Sequence, residues 1–73
     1  SDKDMRNILK AALTTLPERE ALVIQLFYVE ELNVYEIAEI LDVSSGRVSQ
    51  IKKSAVTRLR SFIQENFEQD MRA

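Results

Sequence analysis

The chain has 73 residues, enough for one small domain and too few to enclose a deep pocket. It contains no Cys and no His, which excludes disulfides and thiolate metal sites and removes the commonest general base. The formal net charge is −2, but residues 1–42 hold four bases against nine acids, whereas residues 43–64 hold Arg47, Lys52, Lys53, Arg58 and Arg60 and no acid, so one segment presents a positive field despite the acidic total.

The first helix is expected from Asp2 to Thr14. Met5, Ile8, Leu9, Ala12 and Leu13 follow the i, i+3, i+4, i+7, i+8 spacing of one buried stripe. Asp2 and Asp4 suit its N-terminal end. The segment Thr14–Glu20, "TTLPERE", then breaks and restarts the helix. Pro17 favours the first helical turn and pushes Leu16 out of helical geometry. Glu18 and Glu20 sit where the helix dipole favours anions. The second helix runs to about Tyr28 or Val29. Leu22, Val23, Ile24, Leu26, Phe27 and Tyr28 cover more than one stripe, as in a helix that is either central to the domain or exposes a patch for a partner.

Asn33 is the expected N-cap of the third helix, Val34 to Leu41, and Glu36 completes a capping-box-like spacing. Ile37, Ile40 and Leu41 are the expected buried positions, and Ala38 is small enough for a second helix to cross closely. Asp42-Val43-Ser44 is a tight break in which apolar Val43 plugs the core. Ser44 or Ser45 caps a fourth helix whose stripe is Val48, Ile51, Ala55, Leu59, Phe62 and Ile63. This helix is expected to reach about Phe67, with fraying beyond it.

The composition carries one Gly and one Pro, and the pattern is helical throughout. The expected fold is therefore all-α: one four-helix domain over residues 1–73, ending in a helix-turn-helix at about 33–54 with no winged element. No apolar run approaches the ~20 residues of a membrane span, and no leader pattern is present. The opening Ser1-Asp2-Lys3 suggests a domain cut from a longer chain, and the lack of Cys fits a reducing compartment.

The stretch "EIAEILDVSSGRVSQIKKS", Glu36 to Ser54, carries the chemistry. At ~100° per residue, Gln50 and Thr57 point away from the apolar stripe of the fourth helix. Gly46, Ser49, Lys53 and Ser54 lie beside them, and Arg47 and Arg58 flank. This face is small, polar or basic, whereas a merely solvated face mixes both signs. A B-DNA major groove admits one helix, Gln pairs bidentately with adenine, and Arg or Lys addresses guanine. Ser and basic side chains at the rim, with a helix N-terminus, suit phosphates. Counting Val34 as position one, the positions that hold a helix-turn-helix together fall on Ile37, Ala38, Leu41, Val43, Val48 and Ile51. Asp42 stands at position nine, where Gly is common, and Asp tolerates the left-handed conformation. Gly46 costs about 1 kcal/mol against Ala inside a helix, which either close approach to DNA or a place in the first turn, where the cost is smaller, would explain.

"LPEREALVIQLFY", Leu16 to Tyr28, and "EIAEILDVSSGRVSQIKKSAVTRLR", Glu36 to Arg60, resemble region 4 of bacterial sigma factors. The resemblance covers about Leu9 to Ile63 and is greatest to the flagellar and motility class. It implies a domain that reads the minus-35 promoter element while bound to RNA polymerase. The implied base-reading positions are Ser45, Gly46, Ser49 and Gln50, of which only Gln50 keeps the housekeeping residue; Ser45 and Gly46 replace an Arg and a Glu. Arg47 matches a basic position beside the backbone. Asn33 matches a phosphate-touching hydroxyl position and Ser54 a basic one. The implied protein partners are the flap tip of the polymerase beta subunit and an anti-sigma factor, and the implied location is the cytoplasm.

Arg47, Gln50 and Lys53 are thus expected in the groove, with Ser44, Lys52 and Arg58 at phosphates. For Lys52 the alternative is a snorkelling side chain; for Arg58 and Arg60 it is compensation of the helix C-terminal dipole. Two other functions remain open from sequence: a response-regulator effector domain with a dimeric operator, and a module bound mainly by an anti-sigma factor. An enzyme, a cofactor, a small-molecule ligand and a membrane role are not expected.

Overall fold

In the computed structural model residues 2–72 are described, with side chains from Arg6 to Asn66. Helix α1 spans Asp2–Thr14, α2 Glu18–Ile24, α3 Val34–Leu41 and α4 Ser45–Arg72, and the described residues contain no strand or wing. The fold is all-α. The α4 backbone stays helical past the expected Phe67 to Arg72, where fraying is expected from the sequence; the side chains beyond Asn66 lie outside the described residues.

Local signals set most boundaries. Thr15 and Leu16 close the last turn of α1 by bonding back to Ala12 and Leu13, and Pro17 follows in an extended conformation, φ −52° and ψ 147°. Asn33 Oδ1 accepts from the Glu36 N–H at 2.9 Å, and Glu36 Oε1 accepts from the Asn33 N–H at 3.0 Å. This capping box satisfies two N-terminal donors of α3. Asp42 ends α3 in the left-handed region, φ 57° and ψ 47°, while the Val43 N–H bonds to the Ala38 carbonyl at 3.0 Å. That is the chain reversal Gly usually makes, made here by Asp. Val43 packs against the core beyond it.

The second helix departs from expectation in its last turn. Gln25–Val29 is a π-helical turn rather than continued α-helix. The Glu30 N–H reaches the Gln25 carbonyl and the Leu32 N–H reaches Leu26, wider closures than an α-helix makes. Glu31 takes up the reversal at φ 58°, an uncommon conformation for a residue with a Cβ.

Two apolar clusters join the helices. Val23, Ile37, Ala38, Val48 and Ile51 bind α2, α3 and the start of α4, with Phe27 and Leu41 packed on them. Leu16, Ile24 and Ala55 bind α2 to the middle of α4, with Leu59 alongside. Burial of such side chains is the main source of stability, at about 25 cal/mol per Å² of apolar surface. The radius of gyration is 13.7 Å, above the ~11 Å of a compact domain this size, because α4 is long.

Ile40 is 59% exposed, not buried as expected. The core side of α3 is centred between Ile37 and Ala38, and Ile40 lies about 110° from that direction. The α1 stripe is likewise only half covered. Ala12 is fully buried, yet Leu9 and Leu13 stay exposed, and Met5 lies outside the described side chains. No described helix is long and apolar enough to cross a membrane.

Candidate nucleic-acid interface

Ser44 opens α4. Its Oγ accepts the Arg47 N–H at 3.0 Å, and its carbonyl accepts the Val48 N–H at 3.1 Å. Ser44 is therefore the cap, which leaves half-buried Ser45 and exposed Gly46 as the first helical residues. Their N–H groups have no carbonyl to bond within the helix, so this end favours an anion.

Val48 and Ile51, buried in the α2–α3 cluster, fix the rotation of α4 about its axis. That rotation exposes Gly46, Arg47, Ser49, Gln50, Lys53 and Thr57 together. Arg47 Nη1 lies 3.5 Å from Gln50 Oε1, at the outer limit of a hydrogen bond, so Gln50 keeps its amide free for another partner. A Cβ at Gly46 would meet only Ser44 Oγ, at 3.9 Å, and the backbone there has no positive φ. Nothing inside the domain requires glycine at this position.

Asn33 is exposed at the start of α3 and uses Oδ1 in its capping box. Ser54 and Arg58 are placed differently from the residues before them. Ser54 Oγ donates to Glu20 Oε2 at 3.1 Å, and Arg58 Nε donates to the same oxygen at 3.3 Å. Both are tied to the first turn of α2. Lys52 is half-buried, with Nζ 3.6 Å from the centre of the Phe27 ring and 5.7 Å from that of Tyr28. A cation over a ring face is attracted by its quadrupole, which fits the snorkelling alternative for Lys52. Glu20 itself was legible in the sequence only as a favourable charge at a helix start; no local pattern links it to residues 34 and 38 positions away.

A second feature lies on another side of the domain. Leu9, Leu13, Ile24, Tyr28, Val29 and Leu59 line an open apolar groove of about 570 Å³ between α1, the π-turn and α4. Tyr28 and Val29 are 57% and 70% exposed at its lip, where the wider π-turn carries them outward.

Residues 12–61 match the family described as Sigma-70, region 4. The RNA polymerase sigma factor FliA of Escherichia coli (strain K12) is 48% identical over 60 residues, covering 82% of this chain and 25% of that protein. The RNA polymerase sigma-D factor of Bacillus subtilis (strain 168) is 38% identical over 68 residues, covering 88% and 27%. The chain thus spans about a quarter of the length of the curated relatives it matches. A solved cocrystal structure of the flagellar sigma/anti-sigma complex, Sigma-28/FlgM, matches with a TM-score of 0.82 at 46% identity, covering 86% of this chain and 27% of the solved chain. The family match takes in α2, α3, the left-handed turn at Asp42 and the solvent-facing first half of α4, so the helix-turn-helix is that of a sigma factor rather than of a response regulator: the chain belongs to the Sigma-70, region 4 family.

Proposed function

We propose that residues 1–73 act as one promoter-recognition domain of a larger sigma factor, reading a minus-35 element in the major groove while docked on RNA polymerase. The observation that carries this is the exposed, acid-free face of Gly46, Arg47, Ser49, Gln50 and Lys53 on the helix capped by Ser44. Gln50 reads a base edge, Arg47 and Lys53 address bases or phosphates, and Ser45 and Ser49 add short hydroxyl contacts. Gly46 allows the backbone to come close. Ser44 and Asn33 lie at the phosphate rim, and Arg58 joins it further along α4, whereas Ser54 gives its one hydroxyl hydrogen to Glu20. The relatives named FliA and Sigma-28 support promoters of the flagellar class. The domain is not an enzyme, takes no cofactor, and works in the cytoplasm, where its template and polymerase are.

Fluorescence anisotropy with a flagellar-type promoter duplex and a scrambled duplex tests this directly. Gln50→Ala should cut the preference between the two by about 1–3 kcal/mol. An equal loss on both duplexes would overturn direct readout by Gln50.

A second activity rests on the apolar groove lined by Leu9, Leu13, Tyr28 and Val29. It is the surface offered to protein partners, the polymerase flap tip or an anti-sigma factor, as the Sigma-28/FlgM complex of a relative supports. Amide shifts on adding an apolar helical flap-tip peptide should map to this groove. Shifts at Ser44 to Lys53 should follow DNA instead. A groove that responds while α4 stays silent to every duplex would make the chain a protein-docking module alone.

A further inference from the structure

Glu20 lies in the first turn of α2, its side chain 13% exposed, and turns toward α4. An acid close to a DNA-binding helix repels phosphate unless its charge is used internally. Here both carboxylate oxygens gather around one group. Oε2 accepts from Ser54 Oγ at 3.1 Å and from Arg58 Nε at 3.3 Å, and Oε1 lies 3.2 Å from the same Nε. Oε1 is buried and accepts no hydrogen bond among the described residues; its polar contact with Arg58 is the ion pair alone. A carboxylate that is mostly withdrawn from water is stabilised by a paired cation, and Arg58 is the cation that Glu20 holds.

The pairing occupies Arg58 at Nε. Its side chain remains 59% exposed, and neither Nη nitrogen has a hydrogen-bond partner among the described residues. A guanidinium is a rigid planar fork; fixing Nε fixes the direction of both Nη groups. Arg58 also lines one shallow concavity with Gln50, Lys53, Ser54 and Thr57. The concavity is continuous with the face assigned to DNA and has Lys53 on its other side.

We infer that Glu20 is a positioning residue for DNA binding: its buried carboxylate orients Arg58 so that the two free Nη nitrogens, together with Lys53, seat one backbone phosphate in this concavity. Ser54 completes the clasp on the carboxylate. Glu20 touches no DNA itself. The inference rests on the assignment of α4 to DNA.

The simple electrostatic expectation has the opposite sign. Removing an acid beside the groove should strengthen DNA binding and steepen its salt dependence. The proposal expects Glu20→Gln to weaken binding and flatten that dependence. The test measures Kd for a promoter duplex between 50 and 200 mM salt for the 73-residue chain, Glu20→Gln, Arg58→Ala and the double variant. Losing one of the two cations at that phosphate should reduce the slope by up to about 0.9, so that Kd changes up to ~3.5-fold less over that range. Arg58→Ala and Glu20→Gln should both show this loss, and the double variant should match Arg58→Ala alone. Tighter binding by Glu20→Gln, an unchanged slope, or additive effects in the double variant would each overturn the role. If Glu20→Gln melts too low for titration, the Arg58 Nε–H resonance of the unmodified chain decides. It should stay protected from exchange on adding duplex; its loss would show that Arg58 leaves Glu20 to bind DNA. A chain that binds no duplex at all would overturn the assignment of α4 and this inference with it, whereas DNA binding with additive variants removes only the inference.

Discussion

Lys53→Ala isolates a single electrostatic contact. Lys53 is exposed on α4, and its Nζ enters no ion pair or hydrogen bond among the described residues. Its loss therefore breaks nothing inside the domain, and Ala is at least as good a helix former. The melting temperature should hold. A lysine that neutralises one phosphate contributes up to about 0.9 to the slope of log K against log salt, and less where Arg58 shares that phosphate. Over the fourfold range from 50 to 200 mM, that is a factor of up to ~3.5 in affinity. Anisotropy titrations at four salt concentrations resolve such a change, and a scrambled duplex serves as control. The slope should fall equally on both duplexes, because phosphates carry no sequence information. An unchanged slope refutes the phosphate contact. A slope change confined to the promoter duplex shows that Lys53 reads a base instead.

Three other substitutions separate stability from binding. Gly46→Ala should stabilise the fold by up to about 1 kcal/mol, since the added Cβ meets only Ser44 Oγ at 3.9 Å; if the backbone there approaches DNA, duplex affinity falls while the melt rises. Asn33→Ala should lose about 1 kcal/mol with its capping box, a drop of roughly 4–8 °C in Tm, and Asn33→Ser should recover most of it; equal melts for all three would show the cap contributes nothing. Glu31→Gly should raise stability by about 0.5–1 kcal/mol, because φ 58° strains any residue with a Cβ; a lower denaturation midpoint would mean that the Glu31 side chain makes a contact outweighing the strain.

The sequence by itself determined the four helices and most of their ends. The capping box at Asn33 and Glu36 and the break at Pro17 are each written within four residues, so local chemistry is enough to place them, while the cap of α4 was narrowed to Ser44 or Ser45 and the structure chose Ser44. The stripe of Val48, Ile51 and Ala55 sets which side of α4 faces inward, and so which side carries Gln50 and Lys53. Composition also located the positive segment.

Tertiary structure decided what depends on residues far apart in the chain. Ile40 and Leu13 have the spacing of buried residues, but burial needs a covering neighbour, and Ile40 stays 59% and Leu13 38% exposed. The π-turn at Gln25–Val29 reads as ordinary helix in the sequence, because its wide closures, Glu30 onto Gln25 and Leu32 onto Leu26, are made by backbone groups that no residue type marks. Lys52 is drawn over Phe27 only because α2 and α4 lie side by side. Ser54 and Arg58 looked no different in sequence from Gln50 and Lys53. Packing α2 against α4 brought a carboxylate from 34 and 38 positions away to bind them. Periodicity reports direction from a helix axis, whereas a polar side chain's partner is set by which helix packs beside it.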